Sequence, residues 1–341
     1  MVPCEHNTEA KPRIGFAGVG WIGRNRLAAI ARDRGAEVAG IFDTSTETAC
    51  KALAGIQEHA PHAVIAAHFS ELLALDLDGI VIATPSGLHA EQTRASLRTG
   101  AAVFCQKPLA RTAVEAARVI ETARCRNRLL GVDFCYRSVA GVPQIAGLVR
   151  GGELGEIYAI ELVFHNAYGP DKPWFYDLRQ SGGGCVMDLG IHLLDLLLWV
   201  MDYPQVRNVS SRLRAGGRLL SQPARELEDH AFAQLELETG ATARIACSWN
   251  LPAGCDAVVE AAFYGTRGSA MLRNIRGSFY EFVAHHCTGT AVRVLAEGDA
   301  SWGGRTACEW VHRLSGNRSF NPDAARFYEV QSLVDRIYGR A

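Results

Sequence analysis

The chain has 341 residues, which is enough for two domains that each bury a core. Its 35 Lys and Arg residues nearly balance its 36 Asp and Glu residues, and no basic stripe or acidic tail indicates a nucleic-acid partner. A hydrophobic content of 48% is typical of a globular protein, and no apolar run has the length of a membrane span or the form of a secretion signal, so we expect a cytoplasmic protein. The ten cysteines contain no Cys-x-x-Cys pair and are interpreted as reduced thiols.

The first strand and helix are predicted after residues 1–11, which are interpreted as a loose leader. Arg13–Ala17 has the apolar run of a short buried strand, and a helical pattern follows to about Arg34. Glu37–Phe42 has the pattern of a second strand. This order of strand, helix and strand predicts a βαβ unit.

A glycine-rich turn, GVGWIG, joins the first strand to the helix. Its first glycine allows a tight turn, its second lets a pyrophosphate approach the backbone, and its third lets the helix and strand pack closely. An aspartate 20 residues after the third glycine can bind an adenosine ribose and would repel a 2′-phosphate, which favours NAD over NADP. The residues predicted to bind this cofactor here are Gly18, Gly20, Trp21, Ile22, Gly23 and Asp43.

Alternating strands and helices continue through the first part of the chain. Strands are predicted at Gly79–Ala83, Ala101–Cys105 and Leu129–Phe134, with helical patterns between them. The alternation predicts an α/β domain over residues 12–136, with a doubly wound parallel sheet whose ligands bind beyond the C-terminal ends of the strands. Those ends carry the further candidate residues Thr84, Pro85, Ser86, His89, Gln106, Lys107, Tyr136 and Arg137.

Two of these candidates allow more than one interpretation. Lys107 lies at a strand end before a proline, where its ammonium group can bind a substrate hydroxyl, and the alternative is an ordinary surface lysine. His89 is expected to cap its own turn or to contact the cofactor.

The second part of the chain, residues 137–341, contains runs of strands in place of the strand–helix alternation. Its strand patterns predict a large, mainly antiparallel open sheet in an α+β domain. We assign nothing to Phe279–Ser301 and predict a last helix over about residues 322–338. Because one face of the sheet lacks predicted helical cover, we expect it to pair with another copy in a homodimer or homotetramer. The predicted strands are Glu156–Phe164, Val206–Leu213, His230–Glu238, Ala241–Trp249, Ala257–Tyr264 and Gly268–Leu272.

An apolar helix is predicted from Val186 onward, and three polar residues interrupt it. Asp188, His192 and Asp195 have the spacing i, i+4, i+7, which places them on one helix face. They are interpreted either as a buried structural His–Asp pair, as a catalytic group, or as ligands of a metal. The run Gly182-Gly183-Gly184 before the helix is expected to let a ligand approach the backbone.

Taken together, these motifs resemble the family of glucose-fructose oxidoreductases, inositol dehydrogenases and rhizopine-catabolism proteins. The resemblance covers nearly the whole chain, and its most specific part is a Lys-Pro pair upstream of a Gly-rich Asp-x-x-x-His segment. The matching segments are AGVGWIG at 17–23, Asp43, ATPSGLH at 83–89, QKP at 106–108 and GGGCVMDLGIHLLD at 182–195.

The resemblance implies an N-terminal Rossmann domain that binds NAD(P) and a C-terminal domain that binds substrate and forms the oligomer. It also implies that Lys107 polarises a reacting hydroxyl of a polyol, sugar or sugar nucleotide and that His192 is the acid/base. Asp188 would bind substrate or orient the imidazole, and Asp195 would support His192. No metal is implied. The predicted substrate contacts are Lys107, Tyr136, Arg137, Trp174, Asp188 and His192.

Two departures from the family pattern affect the expected chemistry. The usual Glu before the Lys-Pro pair is Gln106, so a negative charge beside Lys107 is missing, and Ser86 replaces a frequent Asn. Two alternatives to an NAD-dependent dehydrogenase also remain open. One is a catalytically silent NAD- and sugar-binding regulator, and the other is a reductase of a keto-sugar or dihydrodiol-type substrate.

Overall fold

The computed structural model describes residues 11–340, so most of the predicted leader and Cys4 lie outside the described residues. The nine cysteines within that range are all free thiols. The described chain forms two sheets, one parallel and one mainly antiparallel, with helices packed on them.

The first sheet has six parallel strands in the order β3-β2-β1-β4-β5-β6. This order is that of a doubly wound dinucleotide-binding fold and confirms the predicted fold class. The middle strands are buried on both faces, as their continuous apolar runs require. The strands are β1 (Arg13–Ala17), β2 (Glu37–Phe42), β3 (Val64–Ile65), β4 (Gly79–Ile82), β5 (Ala102–Cys105) and β6 (Leu130–Val132).

Five helices connect these strands. Thr112 caps one of them by accepting a hydrogen bond from the Glu115 amide, and Gly100 ends another in the left-handed conformation. The sequence analysis assigned no elements between Asp43 and Gly79, where two helices and the two-residue β3 lie. The helices are α1 (Trp21–Asp33), α2 (Thr46–Ala54), α3 (Phe69–Ala74), α4 (Ser86–Thr99) and α5 (Ala113–Arg126).

The second sheet has nine strands in the order β15-β14-β13-β12-β7-β11-β10-β8-β9. All neighbouring pairs are antiparallel except β7 with β11. The last two hairpin strands lie in the segment to which the sequence analysis assigned nothing. The strands are β7 (Ile157–Asn166), β8 (Val206–Ala215), β9 (Arg218–Leu219), β10 (His230–Leu237), β11 (Thr242–Ser248), β12 (Ala257–Gly265), β13 (Ser269–Asn274), β14 (Phe282–Thr288) and β15 (Ala291–Glu297).

Five more helices follow in the second half, and one of them returns to the first sheet. The Trp310 ring lies 5.7 Å from the Phe104 ring. A Cβ at Gly79 or at Gly131 would lie 2.6 or 2.8 Å from Trp310, so both glycines make room for this indole. The helix that carries Trp310 was not predicted. The helices are α6 (Val142–Arg150), α7 (Leu178–Ser181), α8 (Ile191–Val200), α9 (Arg305–Gly316) and α10 (Arg326–Tyr338).

Helix α8 is the centre of the second core and packs against β7 and α10. By length and composition Leu178–Val200 could cross a membrane, but 89% of its apolar window is buried within the fold, as in a core helix. The opposite face of the sheet is more polar, and its Glu161–Arg244 ion pair is about half exposed. In the described part of the chain, the helices that bury the other face therefore do not cover this one.

Candidate active site

The glycine turn after β1 has the geometry that a dinucleotide needs. Gly18 has a φ of +83°, and a Cβ there would lie 2.6 Å from the Ala83 backbone. A Cβ at Gly23 would lie 2.1 Å from the Gly18 carbonyl oxygen, whereas nothing lies within 4 Å of a Cβ at Gly20. The backbone is thus tight at the first and third glycines and open at the second, where a pyrophosphate would lie at the N-terminus of α1.

Asp43 lies beside this turn at the end of β2. Its Oδ2 accepts a hydrogen bond of 2.9 Å from the Val19 amide, and its Oδ1 accepts one of 2.9 Å from the Ser45 amide. Because a carboxylate has about four acceptor positions, two amide donors leave it able to accept from ribose hydroxyls. The predicted acid therefore lies where an adenosine ribose would be held.

The end of β4 is joined to the Lys-Pro turn by His89. Its Nδ1 lies 2.7 Å from the Pro108 carbonyl oxygen, and its Nε2 lies 2.7 Å from the Thr84 carbonyl oxygen. The ring is almost fully buried. Of the two interpretations of His89, the structure supports the one in which it caps its own turn. Pro85 and the buried Ser86 start α4 at the same strand end.

Lys107 is held by Asp188. Its Nζ donates to the Asp188 carbonyl oxygen at 2.7 Å and to Oδ1 at 2.8 Å, while the Trp249 indole donates to Oδ2 at 3.1 Å. An ammonium group has three donors, so one is left for a ligand. Asp188 contacts Lys107 and Trp249 and makes no hydrogen bond to His192 within residues 11–340, so it does not orient the imidazole. Two side-chain donors leave its carboxylate further acceptor positions, so substrate binding by Asp188 stays a prediction. Sequence analysis did not identify Trp249 as a site residue; it directly follows strand β11.

His192 is buried and lines the same cleft as Lys107. Its ring lies 4.8 Å from the Tyr136 ring, and its Nδ1 has no hydrogen-bond partner among residues 11–340. Burial lowers the pKa of His192 well below its usual value, and the charges of Lys107 and Arg26 lower this pKa further. The imidazole is therefore neutral at neutral pH and can accept a proton.

Asp195 does not support His192. Both of its oxygens accept hydrogen bonds from the Arg137 guanidinium, one of them at 2.8 Å. The Tyr203 hydroxyl oxygen accepts another hydrogen bond from the same guanidinium, at 2.8 Å. The predicted role of Asp195 as a partner of His192 is thus wrong, and Arg137, which was predicted to contact substrate, is held by Asp195 and does not line the cleft described below. The cause is that a buried carboxylate requires a cation, and Arg137 is the one within reach.

The expected helix face is also altered at its start. Val186–Gly190 is a π-helical turn, in which the Ile191 amide donates to the Val186 carbonyl five residues earlier. This wider turn places Asp188 towards Lys107, whereas His192 faces the cleft and Asp195 faces Arg137. Among residues 11–340 no group of three or more His, Cys, Asp or Glu side chains has the arrangement of a metal site.

The space beside the three glycines before this turn is filled by protein atoms, so the expectation that a ligand approaches the backbone there is wrong. A Cβ at Gly182 would lie 2.8 Å from Arg111, one at Gly183 would lie 2.1 Å from the Tyr338 hydroxyl oxygen, and one at Gly184 would lie 1.8 Å from the Glu228 carbonyl oxygen. The buried Glu228 carboxylate accepts hydrogen bonds from the Gly184 amide, the Val186 amide and the Tyr338 hydroxyl at 3.1, 2.9 and 2.7 Å. These glycines allow close packing.

A cleft of about 1060 Å³ joins the glycine turn to the imidazole. Its wall on the second domain is aromatic and includes Tyr168, Phe279 and Tyr280, of which sequence analysis did not select Phe279 and Tyr280. Trp174 stacks on Phe175 at 3.8 Å and does not line this cleft, so its predicted substrate contact is not seen. The predicted residues that do line it are Trp21, Ile22, Gln106, Lys107, Tyr136 and His192.

A buried carboxylate lies beneath the cleft at the end of β6. Asp133 is fully buried and accepts hydrogen bonds from Arg26 Nε at 2.6 Å, from Thr306 Oγ1 at 2.6 Å and from the Gln106 amide group. The negative charge that is missing at position 106 is thus present in its hydrogen-bonded neighbour. The only sequence signal for Asp133 was its position near the end of a predicted strand, where the other candidate residues also lie.

Known proteins share both halves of this architecture. The family model described as "Oxidoreductase family, NAD-binding Rossmann fold" matches residues 12–134, and the model of the GFO/IDH/MocA C-terminal domain matches residues 142–271. D-glucoside 3-dehydrogenase of Escherichia coli K12 is 27% identical over 79% of both chains. A putative UDP-kanosamine synthase oxidoreductase subunit of Amycolatopsis mediterranei is 31% identical over 70% of this chain and 68% of its own.

Solved structures confirm the fold. An inositol dehydrogenase homolog from Azotobacter vinelandii, crystallised with NAD+, superimposes with a TM-score of 0.82 over 100% of this chain and 98% of its own, at 20% identity. At this identity the likeness concerns the fold alone.

Proposed function

The chain belongs to the Gfo/Idh/MocA family of NAD-binding oxidoreductases, and on this basis we propose that it oxidises a ring CH–OH of a sugar, polyol or sugar derivative. One observation carries the proposal. The ammonium group of Lys107, which is fixed by Asp188, and the neutral, buried imidazole of His192 line one cleft that begins at the glycine turn. Such a pair can bind an alcohol oxygen and remove its proton while hydride leaves from carbon.

Lys107 binds and polarises the reacting oxygen. NAD, held at Gly18–Gly23 and Asp43, supplies the hydride acceptor when bound. The contacts of Lys107 with Asp188 fix its ammonium group, whose third donor then stabilises negative charge on the substrate oxygen. In this proposal Asp188 is the counter-ion of Lys107.

His192 accepts the hydroxyl proton. Its lowered pKa keeps it neutral and able to accept a proton. Because the nearby Lys107 and Arg26 charges oppose imidazolium formation, the proton gained passes on to solvent water in the cleft that His192 lines. The same groups in reverse would reduce a keto-sugar.

The aromatic wall favours a six-membered polyhydroxylated ring. Tyr168, Phe279 and Tyr280 offer apolar surface on which the CH face of such a ring would pack. Polar side chains in the same lining, among them Asn25 and Gln106, can pair with its hydroxyls. Relatives include a D-glucoside 3-dehydrogenase and inositol 2-dehydrogenases.

The test is the appearance of reduced nicotinamide with NAD and a panel of glucose, an aryl glucoside, UDP-glucose and myo-inositol. We expect turnover with at least one of these compounds, and a loss of about a hundredfold or more in kcat for His192→Ala and Lys107→Met. His62→Ala and Lys51→Met, both exposed, are the matched controls. Full turnover in His192→Ala would refute its role. Binding of NAD and sugar without conversion of either would identify a regulator instead.

A further inference from the structure

Asp133 connects four separate segments beneath the cleft. Its partners lie on α1 (Arg26), at the end of β5 (Gln106) and at the start of α9 (Thr306), while Asp133 itself follows β6. Arg26 is almost fully buried and Asp133 is fully buried, so this ion pair has little contact with solvent. Inside a protein a charge in this position requires its counter-charge, because neither group can be solvated by water.

Two of these partners reach the proposed reaction centre directly. Gln106 is joined by its peptide bond to Lys107, and both of these side chains line the cleft. Arg26 also lines the cleft, and its charge acts on His192. The carboxylate of Asp133 does not line the cleft, so its influence must pass through Gln106 and Arg26.

We propose that Asp133 is a positioning residue for the reaction, which holds Gln106 and thereby Lys107 in place and neutralises the Arg26 charge near His192. This inference rests on the proposed function of Lys107 and His192. It assigns the negative charge of this site to position 133, with the amide at position 106 as its hydrogen-bond donor.

The charges around His192 give the sign of the effect. Lys107 and Arg26 are the cations that lower the pKa of the imidazole after burial, and Asp188 and Asp133 are the carboxylates bound to those two cations. Loss of the Asp133 charge leaves Arg26 uncompensated, which lowers the pKa of His192 further. A second carboxylate at position 106 has the opposite effect.

The experiment exchanges the carboxylate of Asp133 and the amide of Gln106. Asp133→Asn is expected to lose about a hundredfold in kcat, as for a reacting group displaced by about 1 Å, and to shift the acid limb of the pH–rate profile to lower pH. Gln106→Glu alone is expected to shift that limb to higher pH. The double variant restores one carboxylate and one amide to the pair, so we expect it to recover most of the lost kcat and the wild-type profile.

A purely structural role for Asp133 predicts different results. Asp133→Asn would then unfold at a lower temperature with an unchanged pH profile, and the double variant would not rescue it, which would overturn the inference. Thr306→Val removes one hydrogen bond from the same carboxylate and gives a milder variant if Asp133→Asn does not fold. Because Asp133 keeps its charge in this variant, we expect a smaller loss of kcat than in Asp133→Asn and an acid limb that stays in place, and an unchanged kcat would contradict the positioning role.

Failure of the inference can be separated from failure of the proposed function. If the wild-type protein turns over a sugar and all four variants share its pH profile, only the inference is wrong. If the wild-type protein turns over nothing, the pH titration of the His192 imidazole can still be compared among the variants by following its NMR chemical shifts. Shifts that titrate alike in wild type, Asp133→Asn and Gln106→Glu would then refute it.

Discussion

Removal of the Tyr338 hydroxyl tests whether Glu228 anchors the turn that carries Asp188. The hydroxyl donates to the buried Glu228 carboxylate at 2.7 Å, and the same carboxylate accepts the Gly184 and Val186 amides. Tyr338→Phe keeps the ring in its packed position and deletes one of three donors. We therefore expect loss of stability without a cavity.

The magnitude follows from the charge and burial of the acceptor. A hydrogen bond to a charged group contributes about 1.5–3 kcal/mol, so Tyr338→Phe should lower the free energy of unfolding by about 2 kcal/mol. For a domain of this size that corresponds to a fall of about 4–8 °C in Tm. Tyr328→Phe, on the same helix and 44% exposed, is the control and should change Tm by less than about 1 °C.

The pH dependence of the loss has a defined sign. Burial raises the pKa of Glu228 above its usual 4.5, while the Tyr338 hydroxyl and the two amides lower it. A carboxyl whose folded pKa is raised makes the protein less stable as pH rises through the interval above 4.5. Tyr338→Phe removes one group that opposes the shift, so the stability loss should be larger at neutral pH than at acid pH. Urea unfolding at several pH values measures this, and equal loss at every pH, or none, would refute the reasoning.

Three further predictions concern other parts of the molecule. Asp43→Ser should raise KM for NAD and improve relative use of NADP, because the charge that repels a 2′-phosphate is lost; unchanged cofactor preference in the steady-state assay would contradict this. Arg137→Met should cost about 3–5 kcal/mol in urea unfolding, since Asp195 is left buried and unpaired, whereas Lys51→Met at an exposed pair should cost at most about 1 kcal/mol. If the uncovered face of the second sheet is an interface between copies, as expected from the sequence, Ala246→Arg on that face should lower the mass measured by light scattering, and an unchanged mass would contradict an interface there.

The first domain could be predicted in detail because its signals are local. A buried parallel strand is a short apolar run, and the glycine turn is specified by consecutive residues whose backbone needs are individually visible. Strands β1 and β2 were predicted with the bounds that the structure has. The missing β3 has only two residues, too few to show a period.

The errors arose where a residue's partner is far away in the chain. Helix α9 is amphipathic, but its place on the first sheet depends on Trp310 filling the space above two glycines that lie more than 170 residues earlier. Strand β15 is an edge strand of the second sheet and is largely exposed, and β14 lies beside it with mostly half-buried residues, so neither shows a clear alternation of polarity. A local sequence pattern does not show which distant residues an element packs against.

The three polar residues of the central helix show how far a local pattern can be used. Their spacing indicated correctly that Asp188, His192 and Asp195 are buried polar groups in an apolar helix, but it indicated a shared role that they do not have. Each carboxylate is bound to a cation that follows a strand of the first sheet, Lys107 after β5 and Arg137 after β6. The Lys107–Asp188 ion pair joins the two parts of the chain, and the histidine between the two carboxylates has no ion pair within the described residues. Burial and the charges of Lys107 and Arg26 keep His192 neutral, and a neutral imidazole beside a fixed ammonium is what removal of an alcohol proton requires.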